Sequence, residues 1–199
     1  LQAADFRLGY QFGGAQQQQT ESFGAIIKGF LLAMLVVYAL LAVPFQSYVQ
    51  PLIIMAAVPF GVIGAFIGHL LLGLPVGLLS MFGIIGLSGV VVNDSLVMID
   101  FINERMRSGM DPRAAILDGA KSRFRPIMLT SLTTFLGVAP LTFEKSVQAQ
   151  FLVPMAAALG FGILFGTAIL MLLVPALTSI ELNVLTRLGR DRTGRRVAG

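Results

Sequence analysis

Five stretches of this chain stay apolar on every face for about the 20 residues needed to cross some 30 Å of hydrocarbon, and no other feature limits its fold so strongly. They run over about 23–43, 51–72, 76–101, 126–143 and 151–177. A soluble helix or strand would instead show one apolar stripe of period 3.6 or 2. With 56% apolar and 12% charged side chains in 199 residues, the chain is too apolar for an ordinary soluble domain. The expected fold is an all-α membrane protein, a bundle of five transmembrane helices.

Proline and glycine mark the joints. The first span stops at Pro44, and the link Phe45 to Gln50 places Tyr48 at headgroup level. Gly73-Leu74-Pro75 makes a tight turn before the third span, and Pro126 opens the fourth. Residues 1–22 are polar, rich in Gly and Gln, and lack the basic start and apolar centre of a signal peptide. Because the chain opens at Leu1 on such a segment, it is expected to be a fragment whose missing part lies upstream.

Charge gives a direction. Arg105, Arg107, Arg113, Lys121, Arg123 and Arg125 lie in residues 102–125, and Arg187, Arg190, Arg192, Arg195 and Arg196 in the tail 181–199, so two segments hold eleven of the fourteen basic residues. Cytoplasmic loops carry such an excess. Both segments are therefore assigned to the cytoplasm, with residues 1–22, the Gly73–Pro75 turn and residues 144–150 on the outer side. The net charge of +4 does not point to nucleic acid, since the basic residues sit between spans. Within 102–125, Asp111-Pro112 reads as an N-cap and first helical residue opening a short amphipathic connector, Arg113 to about Lys121, suited to anionic headgroups of membrane lipid.

Small residues indicate close packing. Gly61, Gly64 and Gly68 share a stripe of span two, Gly83, Gly86 and Gly89 recur in span three, and Gly162 with Gly166 forms a small-xxx-small pair in span five. The nine methionines are spread over every span as packing filler, not gathered as copper or silver ligands. There is no cysteine and a single histidine, His69, read as a satisfied residue near the outer end of span two. Neither a metal site nor the nucleophile and base of a membrane enzyme is indicated.

Polar groups inside spans are costly unless they meet a partner or water. Asn93-Asp94-Ser95 lies in span three, and a carboxylate there is the strongest clue in the chain. Beside a cation it is ionised, and dry and unpaired it is neutral; a group balanced between those states can load and release a proton. The plain alternative is a buried residue that clamps helices. Asp100 reads as a wet helix end. Arg123, Thr130 and Thr134 stack along one side of a helix, so Arg123 could reach a carboxylate of span three. Otherwise Arg123, like Arg125, contacts headgroups, and the threonines bond the backbone one turn back.

Three stretches carry a family resemblance: Pro44-Phe45-Gln46-Ser47-Tyr48 through Pro59-Phe60-Gly61-Val62-Ile63-Gly64, then Gly86-Leu87-Ser88-Gly89-Val90-Val91-Val92-Asn93-Asp94, then Arg123-Phe124-Arg125-Pro126-Ile127-Met128-Leu129-Thr130-Ser131. Over roughly residues 10–180 the chain resembles the C-terminal membrane half of resistance-nodulation-division (RND) efflux transporters. The resemblance implies helices eight to twelve of a twelve-helix protomer in the bacterial inner membrane, with residues 1–22 returning from a periplasmic domain. It also implies a homotrimeric antiporter exporting amphiphilic or hydrophobic compounds, a trait of multidrug resistance. Such a pump is driven by the proton motive force with no cofactor, and works with a periplasmic adaptor and an outer-membrane channel. The family's relay arginine and threonine match Arg123 and Thr130, while its relay lysine falls on Asn93, which cannot alternate charge. Asp94 stands where multidrug members carry a neutral residue. Lipid or protein export within the same superfamily is the alternative, and a non-transporting structural membrane subunit is another; intramembrane Asp94 argues against the last.

Overall fold

The structure, a computed structural model, describes residues 2–146 and 148–187, with side chains described from Gln17 onward. Six α-helices account for most of it: α1 (Gln2–Phe45), α2 (Val49–Met55), α3 (Val58–Leu72), α4 (Leu78–Arg107), α5 (Pro112–Thr142) and α6 (Val153–Arg187), with a 3-10 turn at Ala149–Phe151. Five segments are long and apolar enough to cross a membrane, α2 and α3 counting as one. The described residues up to Val37 and those from Tyr38 onward form two compact units, and the packing described below belongs to the second.

The helix ends follow local chemistry. Gly73 closes α3 at φ 65°, with its N–H on Leu70 O at 3.4 Å and the N–H of Leu74 on His69 O at 2.9 Å, the paired bonds of a Schellman motif. Gly109, at φ 89°, closes α4 the same way. Asp111 caps α5, its carboxylate accepting from the N–H groups of Arg113 and Ala114 at 3.1 and 3.3 Å, and Pro112 fills the first position, where a missing N–H costs nothing.

Prolines account for two departures from the sequence reading. Span two is broken between α2 and α3 because Pro59 has no N–H to return to Met55, whereas Ala56 N–H still reaches Leu52 O at 2.9 Å. Conversely, Pro126 does not start a new helix. The connector expected to end near Lys121 and the span expected from Pro126 are one 31-residue helix, α5, because contacts with α4 hold the turns before Pro126 in register. With 30 residues, α4 is about 45 Å long at 1.5 Å per residue, so it runs past the expected end at Phe101. Likewise α6 continues beyond residue 177 to Arg187, and the rest of the basic tail lies outside the described residues.

Helix α6 is central, packing against α3, α4 and α5. Glycines permit this. A Cβ on Gly166 would lie 3.1 Å from Gly61 Cα, one on Gly68 would lie 2.5 Å from Phe161 Cβ, and one on Gly64 or Gly162 would collide with Phe165 or Leu87. Gly86 and Gly89, grouped with these from sequence, differ. Nothing lies within 4 Å of a Cβ at Gly89, and only Leu159 Cδ1, at 3.8 Å, approaches one at Gly86. They share an exposed stripe of α4 with Phe82 and Asn93, whereas Gly83 and Leu87 turn toward α6.

His69, in the last turn of α3, is buried at 3% exposure. Its Nδ1 lies 2.9 Å from Ala65 O and its Nε2 2.8 Å from Ser80 Oγ. A carbonyl can only accept, so Nδ1 carries the proton and donates, leaving Nε2 to accept from the Ser80 hydroxyl.

Candidate functional site

Three contacts set how α4 and α5 run against each other. Ile102 fills the space beside Gly119, Arg105 Nε approaches Asp118 Oδ2 at 2.9 Å, and the Arg123 guanidinium carbon sits 4.5 Å from the Phe101 ring centroid. The two helices are thus antiparallel, joined at the end that carries Arg105, Arg107 and Arg113, called here the basic end. Leu87 lies against Gly162 and Val91 against Gly166, so α4 and α6 run in the same direction. Between α5 and α6, Ser131 Oγ and Thr167 Oγ1 share a buried hydrogen bond of 2.6 Å.

Carrying those registers along the helices puts Asp94 about half a turn toward the basic end from the Ser131–Thr167 bond, near residues 127–130 of α5 and 169 of α6. Asp94 is 6% exposed, and its Oδ2 has no hydrogen-bond partner. Its neighbour Asn93, about 100° around the helix, is exposed on the face that this chain leaves uncovered. The adjacent pair therefore serves two surfaces: Asp94 faces inward and Asn93 outward. Asp100 is exposed too.

Arg123 does reach span three, but through an aromatic ring and not a carboxylate. Among the described residues the ion pair at this end is Arg105–Asp118, whose angle makes it a close charge contact rather than a hydrogen bond. Both of its side chains are about 40% exposed, at 41% and 40%, so it contributes little by itself. The Nε of Arg123 is buried with no hydrogen-bond partner. Phe101, seven residues beyond Asp94, lies about 10 Å further along α4, which separates Arg123 from Asp94 at this register.

Thr130 is exposed and donates to Pro126 O at 2.9 Å, and Thr134 donates to Thr130 O at 2.8 Å. The structure thus gives both threonines a backbone bond one turn back. Arg125 is exposed.

The sequence reading misses three polar features. Ser131 and Thr167 are each 2% exposed and pair across helices, a contact legible only once the α5–α6 register is known. Gln50 and Asn103 exchange side-chain amide bonds at 3.3 and 3.0 Å. Asp94 is also not the sole buried acid: Glu181 is 6% exposed, because α6 stays packed past the expected span end. Among the described residues no three His, Cys, Asp or Glu side chains gather to hold a metal ion.

With this geometry in view, similarity to known proteins is informative. The model of the AcrB/AcrD/AcrF family matches residues 6–180. The chain belongs to that family. The relatives it matches are RND efflux transporters, which are not enzymes. The chain is 30% identical over 183 residues to the multidrug resistance protein MdtC of Pantoea ananatis (strain AJ13355), covering 92% of this chain and 18% of that protein. Two crystal forms of a heavy metal efflux pump share the fold. One has a TM-score of 0.74 and 26% identity over 83% of this chain and 16% of the pump; the other has 0.65 and 25% over 76% and 15%. The RND segment described here thus spans less than a fifth of the length of these relatives.

Proposed function

We propose that this chain is the C-terminal membrane part of a proton-coupled antiporter that exports amphiphilic or hydrophobic compounds, with Asp94 as its proton carrier. The observation that carries the reading is the buried Asp94 carboxylate with an oxygen that meets no donor. In hydrocarbon such a group needs either a proton or a cation beside it, and exchange between the two is the elementary act of proton coupling. The Arg123 guanidinium serves as counter-ion while Thr130 and Thr134 position water or hydrogen bonds. Asn93, on the position of the family lysine, has no titratable proton and faces the uncovered side.

That side is where the remainder of the transporter docks. Transporters of this kind set their sites between repeat halves, and the exposed stripe of Gly86, Gly89 and Asn93 offers a close-approach surface to the N-terminal half. A homotrimer in the bacterial inner membrane, with a periplasmic adaptor and outer-membrane channel, completes the reading. Likeness to a multidrug resistance protein supports amphiphilic cargo.

The test is Asp94→Asn in the complete transporter at matched expression. It should abolish or strongly reduce proton-linked efflux without preventing insertion, and Asn93→Ala should be milder. Normal transport by Asp94→Asn with a dead Asn93→Ala would move the relay to the position of the family lysine and leave Asp94 a packing residue.

A further inference from the structure

Two guanidinium groups share one aromatic ring at the basic end of the α4–α5 contact: the centroid of Phe101 is 4.8 Å from the Arg105 guanidinium carbon and 4.5 Å from that of Arg123. Two like charges on one ring repel unless one is compensated. Asp118 compensates Arg105, at 2.9 Å. Arg123 forms no ion pair among the described residues, and its buried Nε has no acceptor, so the ring face is what seats it.

Side-chain direction gives the seat a consequence. Helical side chains lean toward the N-terminus of their own helix, and α5 runs antiparallel to α4, so Arg123 leans toward the basic end and away from the level of Asp94. The Cα of Arg123 is therefore nearer to Asp94 than its guanidinium is.

We infer that Phe101 is a positioning residue for Arg123, seating its guanidinium about two helical turns from Asp94 so that the cation is near that carboxylate without being locked to it. Asp118 favours the arrangement by partly offsetting the other cation on the ring. The inference rests on the reading of Asp94 as proton carrier, but the seat itself can be tested separately.

The seat is read by 15N-arginine NMR of the 199-residue chain in lipid nanodiscs, the Arg123 Nε–H signal being assigned by its loss in Arg123→Lys. A ring-current shift should be present in the wild type, vanish in Phe101→Leu and persist in Phe101→Trp. Asp118→Asn should weaken it by leaving Arg105 uncompensated. An Arg123 signal indifferent to both Phe101→Leu and Asp118→Asn overturns the seat, and if Phe101→Leu fails to insert, Phe101→Trp and Asp118→Asn decide.

The role is read in the complete transporter reconstituted in liposomes, with ethidium as exported probe and an imposed pH gradient. Phe101→Leu should lower kcat about tenfold at unchanged KM, the scale of a desolvated cation–π contact, and Phe101→Trp should restore it to within about twofold. Equal loss in both variants, or none in either, overturns the positioning role. Normal transport by Asp94→Asn would instead defeat the proton-carrier reading and leave the NMR result standing.

Discussion

Gln50 and Asn103 hold α2 to α4 by trading amide hydrogen bonds: Gln50 Nε2 donates to Asn103 Oδ1 at 3.3 Å, and Asn103 Nδ2 donates to Gln50 Oε1 at 3.0 Å. Both are buried, at 1% and 6% exposure, and the residues are 53 apart in sequence. Losing one partner leaves the other amide buried and less satisfied. Gln50→Leu should therefore destabilise the bundle by about 1–3 kcal/mol, and the Gln50→Leu/Asn103→Leu double variant by less than the sum of the singles. Denaturant unfolding in micelles, run as a double-mutant cycle, checks this; strict additivity would mean that the amides do not couple.

A packed glycine and an exposed one should respond differently to alanine. At Gly64 a methyl group meets Phe165 and the Phe161 carbonyl, so Gly64→Ala should cost about 1–3 kcal/mol by overpacking. At Gly89 the methyl group meets nothing within 4 Å, and the gain in helix propensity, up to about 1 kcal/mol, is unopposed in this chain. Thermal unfolding of the two variants side by side would show the contrast, and equal destabilisation would contradict the packing described here.

These contrasts mark what the sequence could and could not convey. Five long apolar runs, the Asp111-Pro112 helix start and the Gly73 turn are local features, set by side-chain chemistry within one or two turns, and they are legible without a partner. Whether Pro126 breaks a helix depends on what holds the turns before it, and the contacts at Asp118 and Gly119 come from α4. The burial of Asp94 follows from its depth in an apolar run, but its 100° separation from an exposed Asn93 requires knowing which face α6 covers. The sequence reading aims Arg123 at a carboxylate of span three. That it would meet Phe101 was not legible, because an aromatic ring in an apolar helix looks like every other packing residue.

The Glu144–Ser146 turn should lose a stabilising contribution as pH falls into the acid range. Glu144 lies outside the spans, and its carboxylate is held below the usual range by the backbone N–H of Ser146, at 3.0 Å, and then that of Lys145, at 2.9 Å. A carboxylate with a lowered folded-state pKa stabilises the fold above its ordinary pKa, and that contribution disappears as pH falls through the lowered value. Amide exchange at Lys145 and Ser146, corrected for intrinsic rate, should stay slow through the ordinary carboxylate range and quicken only below it. Glu144→Gln should remove this pH dependence.

The chain by itself should not transport. If the site lies between repeat halves, the face bearing Asn93 has no partner here and Asp94 has no route to a second relay. Liposomes containing only these 199 residues should show no proton-linked ethidium efflux under a pH gradient. Efflux from such liposomes would remove the need for the other half.

Orientation follows from the same charges that join α4 to α5. Arg105, Arg107, Arg113, Lys121, Arg123 and Arg125 cluster around the Ser108–Asp111 turn, which should therefore be cytoplasmic, and the Glu144–Gln150 loop should lie outside. The chain contains no cysteine, so single cysteines report without background. Ser108 and Ser146 are both exposed, so their reactivity depends on which side the reagent occupies and not on burial. An impermeant thiol reagent added to intact, outer-membrane-permeabilised cells that make the complete transporter should label Ser146→Cys and spare Ser108→Cys until the inner membrane is opened. The reverse pattern would invert the bundle, putting the basic end outside and depriving the proton-coupled reading of its direction.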